Sequence, residues 1–160
     1  MKDFIERFRH FKFFDPGELV DDDLKLVLEK CTPADPTKKY VPAYYFNICV
    51  IGSDETIGKV NLRAATTESL ERFGGHIGYD VNPEYRGHHY AERACRLLLP
   101  LMGLHGFTEI WITCNPDNYP SCRTCERLGA EFIEIVDLCP EHEMYKSGDR
   151  KKCRYRLKLE

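Results

Sequence analysis

The sequence changes its hydrophobic period within one stretch, Tyr79-Asp-Val-Asn-Pro-Glu-Tyr-Arg-Gly-His-His-Tyr-Ala91. Alternating apolar residues end at Val81, a polar turn follows, and apolar residues at helical spacing begin after Tyr90. A helix start exposes N–H groups without intrahelical partners, together with the positive end of the helix dipole. The strand-turn-helix junction therefore predicts a phosphate-binding site. Arg86 and Gly87 support this prediction, because the guanidinium adds a cation and glycine allows close approach of the backbone.

Upstream of this junction, the sequence predicts four strands that follow one another along the chain. Residues 31–42 contain three prolines and are predicted to form a loop, because proline fixes φ and lacks an amide hydrogen. The spacing of phenylalanines over residues 4–14 predicts a short amphipathic helix. The β-forming segments are bounded by proline or glycine and comprise residues 24–30, 43–51, 56–64 and 76–81.

Downstream of the junction, helices alternate with strands. A helix is predicted from Tyr90 to about His105, which Pro100 should kink and Gly106 should end. Residues 109–114 then predict a strand.

A second helix is predicted from Tyr119 to Leu128. Asn118 should cap it, Pro120 suits its first turn, and Gly129 lies just beyond its end. Two closing strands are predicted over residues 130–137 and 152–159. The order of elements predicts one α/β domain, residues 1–160, with a mixed sheet.

Composition limits the class of protein. A chain of 160 residues suits one domain, and 42% hydrophobic with 31% charged residues is ordinary for a globular protein. No stretch approaches the roughly 20 apolar residues needed to span a bilayer. The N-terminal residues do not resemble a secretory signal, so we predict a cytoplasmic protein with no membrane partner. The net charge of -3 gives no general attraction to nucleic acid.

Cysteine is unusually frequent, with eight residues in the chain. Disulfide scaffolds are small secreted chains without a core, so we predict reduced and mostly buried thiols. Cys122-Arg-Thr-Cys125, with Cys114, Cys139 and His142 nearby, leaves a zinc module as an alternative. Only one Cys-x-x-Cys pair is present, and it lies inside a predicted helix. This argues against zinc and against a redox dithiol, so the favoured interpretation has no metal site.

The segment Arg86-Gly87-His88-His89-Tyr90-Ala91 resembles the pyrophosphate loop of the GNAT superfamily of N-acetyltransferases. That loop has Arg or Gln, two residues, Gly, one residue, and then Gly or Ala. His89 stands where the glycine is usual, and histidine is less suited than glycine to positive φ. Residues 110–118, Ser121 and residues 128–132 resemble the strand and helix that follow in this superfamily.

The resemblance implies a GNAT-like fold with a mixed, mostly antiparallel central sheet of about seven strands flanked by helices. It implies acetyl-CoA as co-substrate and an amine acceptor of unknown identity. The backbone of Tyr79, Asp80 and Val81 should hydrogen-bond the pantetheine as an added strand, and Asn118 and Ser121 should lie along the same arm. The pyrophosphate should meet Arg86, Gly87, His88, His89, Tyr90, Ala91 and Glu92.

Catalysis requires a base, because an alkyl amine with a pKa of about 10.4 is protonated at neutral pH. We favour His76, with a histidine that merely ends an edge strand as the alternative. The superfamily often has a tyrosine acid seven residues after the helix-opening Asn, and here that position is Cys125. A packing role for Cys125 is the alternative, with Tyr119, Tyr145 or water as the acid.

The acceptor is predicted to be a small-molecule or peptide amine. The proline loop replaces the helices expected between the first two strands, which indicates an open acceptor cleft. A second subunit in a homodimer is one way to complete this cleft. A GNAT-fold protein that binds CoA without catalysis is the second hypothesis, favoured by His89 and the missing tyrosine.

Overall fold

This computed structural model describes residues 1–53 and 55–160, and the chain divides into two compact units. The first unit comprises residues 1–66 and 77–107, and the second comprises residues 67–76 and 108–160. The single domain expected from the sequence stays a prediction.

Four α-helices and eight strands make up the described part of the chain, with a π-helical turn at Leu70–Gly74 and a 3-10 turn at Pro83–Tyr85. The helices are α1 (Lys2–Arg7), α2 (Tyr90–Leu104), α3 (Tyr119–Arg127) and α4 (Glu143–Lys146). The strands are β1 (Leu19–Asp21), β2 (Leu24–Thr32), β3 (Ala43–Val50), β4 (Thr56–Arg63), β5 (Ile77–Val81), β6 (Glu109–Cys114), β7 (Glu131–Asp137) and β8 (Lys151–Lys158).

The first unit is an antiparallel five-stranded sheet in the order β1-β2-β3-β4-β5, with α2 packed on β1, β2, β4 and β5. Alternate residues of β3 and β4 are buried, which places Tyr44, Phe46 and Leu62 in the core. The buried side of α2 includes Ala94 and Leu98, at the spacing of one helix face. Burial of these faces supplies the main stabilisation of this unit.

The N-terminal helix prediction was partly wrong, because α1 ends at Arg7 and the predicted helix extended to residue 14. Beyond Arg7 the aromatic side chains make tertiary contacts. Phe11 stacks on the ring of His105 with centroids 5.2 Å apart. The amide of Phe14 donates to the hydroxyl of Tyr44 at 2.8 Å. These contacts with the core outweigh the local helical spacing.

The short strand β1 was not predicted. It forms a hairpin with β2, and Asp22 in the turn has φ 54, a left-handed conformation that aspartate tolerates better than most residues. Arg93 ties this hairpin to α2, because its guanidinium donates to Asp21 at 2.8 Å and to Asp23 at 2.7 Å. With β1 included, residues 1–53 and 55–160 form a five-stranded sheet and a smaller three-stranded sheet.

The second unit is an antiparallel three-stranded sheet in the order β6-β8-β7, with α3 packed on β6 and β7. The predicted limits of α3 are confirmed. Asn118 accepts a hydrogen bond from the amide of Ser121 at 3.3 Å, and Gly129, just after the helix, has φ 85. The π-helical turn Leu70–Gly74 packs on β6 and β8.

The α/β class and the mostly antiparallel pairing are confirmed, and Pro100 lies inside α2, which continues to Leu104. Within residues 1–53 and 55–160, no helix is long and apolar enough to cross a membrane.

Candidate functional site

The junction predicted from the sequence lies in the first unit, between β5 and α2. Strand β5 forms one edge of the five-stranded sheet and pairs with β4, with Val81 opposite Gly58. Gly58 is required there, because a Cβ at this position would lie 2.5 Å from the carbonyl oxygen of Asp80. The amide of Asn82 donates to the carbonyl of Ile57 at 2.8 Å and holds the start of the turn on β4.

The backbone of the loop after this turn is left-handed at two positions. Gly87 has φ 90, and His89 has φ 61 and ψ 24. His89 thus adopts the conformation for which glycine is ordinarily preferred, at a cost of roughly 1 kcal/mol for a residue with a Cβ. His89 therefore takes the place of the usual glycine at the cost of backbone strain.

The amides of this loop point to an anion site. Helix α2 has no side-chain cap, and its first backbone hydrogen bond runs from Arg93 to the carbonyl of His89 at 3.0 Å. Among the described residues, the amides from Gly87 to Ala91 donate to no backbone or side-chain acceptor. Residues 86–89 are exposed. Open N–H groups at the positive end of a long helix favour a bound anion.

Arg86 lies beside these amides and is also held by the protein. Its Nε donates to the carbonyl of Val81 at 2.9 Å, and one Nη lies 3.6 Å from the carboxylate of Asp80. The arginine side chain is 58% exposed, so the ion pair with Asp80 is weak and the guanidinium remains accessible. Arg86 therefore closes the loop over the end of β5 and still presents donors to solvent.

Glu92 is the one acidic residue in the first turn of α2. Its carboxylate lies 3.2 Å from the guanidinium of Arg96 and 3.8 Å from Nδ1 of His89. The guanidinium of Arg96 therefore offsets part of the negative charge of Glu92.

The remaining predicted site residues lie in the second unit, where His76 is 1% exposed. The amide of His76 donates to the carbonyl of Trp111 at 2.7 Å, and the amide of Trp111 donates to Nδ1 of His76 at 2.9 Å. With the lone pair of Nδ1 engaged, the proton of a neutral ring lies on Nε2. The ring in this arrangement is a donor, so its role as a base stays a prediction that the tautomer does not favour.

Helix α3 carries the other candidates. Asn118 is exposed at its start, Ser121 is 9% exposed, and Cys125 is 0% exposed. The thiol of Cys125 hydrogen-bonds that of Cys114, and this contact together with burial raises the pKa of Cys114 well above its ordinary value. The role of Cys125 as an acid stays a prediction, and its full burial fits the packing alternative.

The cysteines around α3 form a cluster of thiols. Cys114 and Cys122 have their sulfur atoms 3.5 Å apart, and burial raises the pKa of Cys153 to about 11. All eight cysteines are free. In the described ranges, no group of three or more His, Cys, Asp or Glu residues is arranged to hold a metal ion.

Sequence reasoning missed a polar ring of three side chains in the second unit, one of which is buried and two of which are half-buried. Lys152 on β8 is 7% exposed, and its Nζ donates to Oδ1 of Asn115 at 2.7 Å and to Oδ2 of Asp149 at 3.1 Å. Nδ2 of Asn115 donates to Oδ1 of Asp149 at 2.9 Å. No local pattern signals this ring, because its members lie on opposite sides of α3 and β7 in the sequence.

Comparison with protein families gives a match to the family described as an acetyltransferase (GNAT) domain, over residues 6–131. No curated protein sequence matches the chain.

Solved structures of acetyltransferases are similar in fold. A protein from Vibrio cholerae assigned as a ribosomal-protein-serine acetyltransferase has a TM-score of 0.66 and 17% identity, over 91% of this chain and 99% of that one. The ribosomal-protein-S5-alanine acetyltransferase of Vibrio fischeri has a TM-score of 0.59 and 21% identity, over 74% of this chain and 62% of that one. The microcin C7 self-immunity acetyltransferase MccE, solved with acetyl-CoA and AMP, has a TM-score of 0.57 and 18% identity, over 73% and 61%. This chain therefore spans about three fifths of the length of the last two proteins.

Proposed function

The chain belongs to the GNAT acetyltransferase family, and from this premise we propose that it transfers an acetyl group from acetyl-CoA to an amine by direct attack of the amine on the thioester. The observation that carries the proposal is the set of open amides from Gly87 to Ala91 at the start of α2, with Arg86 beside them.

These residues fit a pyrophosphate. Phosphate oxygens accept hydrogen bonds from main-chain N–H groups at a helix start, and the helix dipole adds a favourable potential. Gly87 has no neighbouring atom within 4 Å of where a Cβ would lie, so the space above it is open to a ligand. Arg86 would bind the same phosphates with the donors that Val81 does not use.

The pantetheine arm is assigned to residues of each unit separately. In the first unit, Tyr79, Asp80 and Val81 belong to the edge strand β5, whose geometry suits pairing with an extended amide-containing chain. In the second unit, Asn118 is exposed at the start of α3 and is assigned to the same arm together with Ser121. Tyr90 and His88 would contact the diphosphate end.

Acetyl-CoA supplies the acetyl group as a thioester. The protein must hold the acceptor amine against it and allow the amine to lose a proton, since an alkyl amine has a pKa of about 10.4. We retain His76 as the candidate base and Cys125 as the candidate acid. Much of the rate enhancement is assigned to holding the two reactants in contact, which by itself lowers the barrier by several kcal/mol.

Calorimetry with acetyl-CoA and CoA tests the cofactor assignment. Arg86→Ala should weaken acetyl-CoA binding roughly tenfold to a hundredfold, because a charged hydrogen bond contributes about 1.5–3 kcal/mol. Arg9→Ala is the control, since Arg9 lies just after α1, is exposed, and pairs with Glu6 at 3.5 Å on the surface. Equal affinity in the Arg86 variant and the control would show that this loop does not bind the phosphates.

Acetyl transfer itself is tested with a panel of amines, followed by mass spectrometry because the free thiols interfere with thiol reagents. The panel should contain peptides that begin with serine or alanine, since two similar structures carry names of ribosomal-protein acetyltransferases with those substrates. Polyamines, amino acids and aminoglycosides complete it. Acetylated product with one class would identify the acceptor.

A CoA-binding protein without catalysis is the second candidate. The observations that favour it are the engaged Nδ1 of His76 and the full burial of Cys125, which leave both candidate catalytic groups poorly placed for proton transfer. Tight acetyl-CoA binding with no acetylated product across the panel would select this candidate.

Location and assembly are the remaining parts of the proposal. Free thiols suit a reducing compartment, so we propose a cytoplasmic location. The homodimer expected from the sequence stays a prediction, and the molar mass from light scattering would test it.

A further inference from the structure

The polar ring of Lys152, Asn115 and Asp149 lies in the second unit, with the Lys152 side chain 9% exposed and the Asp149 side chain 31% exposed. Each of its three members hydrogen-bonds the other two, at 2.7, 2.9 and 3.1 Å. Burial acts to raise the pKa of Asp149, but hydrogen bonds from Asn115 and Lys152 outweigh it, so the pKa lies below its ordinary value. The carboxylate is therefore ionised at neutral pH and neutralises the buried ammonium.

The ring continues by hydrogen bonds into α3. Asn115 directly follows β6, and its carbonyl accepts a hydrogen bond from the amide of Asn118 at 3.0 Å. The side chain of Asn118 then accepts from the amide of Ser121 at 3.3 Å. An unbroken chain of contacts thus runs from Lys152 on β8 through the turn to the first turn of α3.

The ring also fixes the connection between β7 and β8. The amide of Asp149 donates to the carbonyl of Met144 at 3.0 Å, and the guanidinium of Arg150 lies over the aromatic side chain of Tyr145, 3.9 Å from its centroid. Asp149 is thereby held from the α4 side as well as from Lys152. The ring has little freedom to adjust if one member is lost.

A partly buried ion pair such as Lys152–Asp149 contributes little net stability, because well-packed apolar side chains of similar volume stabilise a fold equally well or better. What the ring supplies is one defined geometry for the turn after β6. That turn carries Asn118, which caps α3 with its side chain.

We propose that Lys152 and Asp149 are positioning residues for the cofactor arm: they hold Asn115, and Asn115 fixes the turn that places Asn118 and Ser121. This inference rests on the proposed function, in which Asn118 and Ser121 line the pantetheine. Lys152 and Asp149 act through Asn115 and are not catalytic residues.

The test compares Lys152→Met with Lys151→Met in the full chain. Lys151 is the adjacent residue on β8, is 57% exposed, and pairs with Asp137 at the surface, so its variant removes the same charge outside the ring. Lys152→Met should raise the Kd and the KM for acetyl-CoA about tenfold, equivalent to about 1.4 kcal/mol, with a smaller change in kcat. Lys152→Arg, which keeps a cation, should restore part of the affinity.

A second readout does not depend on acetyl-CoA. The amide of Ser121 donates a hydrogen bond to the side chain of Asn118. Hydrogen exchange at this amide should be faster in Lys152→Met and unchanged in Lys151→Met. If Lys152→Met does not fold, Asn115→Ala replaces it, because this variant cuts the link to the turn and leaves the Lys152–Asp149 pair intact.

Three results separate the hypotheses. A folded variant with unchanged Ser121 exchange and unchanged acetyl-CoA affinity overturns the positioning role. Faster exchange at Ser121 with unchanged acetyl-CoA affinity refutes the link to the cofactor arm. Failure of the unaltered protein to bind acetyl-CoA refutes the proposed function instead, whatever the variants do.

Discussion

Substitution of His89 tests whether the left-handed backbone of the loop is needed for binding. His89 has φ 61 and ψ 24, and its side chain is 55% exposed and lies 3.8 Å from the carboxylate of Glu92. That contact contributes little, because exposed ion pairs are weak. Replacement by glycine or valine therefore changes mainly the cost of the backbone conformation at this position.

His89→Gly and His89→Val should differ in their free energy of unfolding. Glycine adopts positive φ without a Cβ clash, although it loses about 0.5–1 kcal/mol through a more flexible unfolded chain, so His89→Gly should be nearly neutral in stability. Valine is branched at Cβ and should cost roughly 1–2 kcal/mol more than glycine. For a chain of this size that difference lowers Tm by about 2–8 °C.

The assay combines thermal unfolding with calorimetry of acetyl-CoA. His89→Gly should retain or improve the acetyl-CoA affinity, because it keeps the backbone angle and removes a side chain from the exposed loop. His89→Val should lower both the acetyl-CoA affinity and the stability. Valine is strained at positive φ, and a change of backbone conformation that relieves this strain would reorient the amides from Gly87 to Ala91. Equal Tm and equal affinity in the two variants would refute the requirement for a left-handed residue.

Two further predictions concern packing in each unit. The hydroxyl of Tyr44 lies 2.7 Å from Nε2 of His105, and burial lowers the pKa of His105 from its ordinary value of 6.5. The neutral His105 ring is favoured in the folded state, so its contribution to the free energy of unfolding is present above pH 6.5 and is lost as the pH falls below it. Urea unfolding between about pH 5 and 8 should therefore show a free energy of unfolding that falls toward low pH. His105→Gln should abolish this dependence. Gly75→Ala should destabilise by more than 1 kcal/mol, since φ is 72 and a Cβ would lie 3.1 Å from the backbone of β6. Gly106→Ala is its control, with φ 87 but no atom within 4 Å, and equal losses of unfolding free energy in the two variants would contradict the steric argument.

Features set by neighbouring residues could be predicted from the sequence. Asn118 and Gly129 mark the ends of α3 because capping and C-terminal left-handed residues act within one turn. The strand-turn-helix junction is equally local, since the open amides follow from the point at which α2 begins. The early end of α1 could not be predicted in this way, because the contact of Phe11 with His105 joins distant parts of the chain.

The same distinction separates the proposed cofactor site from the proposed catalytic one. Phosphate recognition uses main-chain amides, which any residue supplies once the backbone has the right conformation. Proton transfer depends on the tautomer and exposure of particular side chains, and a partner 35 residues away fixes the tautomer of His76. Since Nδ1 already accepts from Trp111, removal of the amine proton by His76 would require that hydrogen bond to break, either for Nδ1 to take the proton or for the ring to change tautomer. Deprotonation by solvent, with the protein holding amine and thioester together, needs neither change and is the simpler route for this fold.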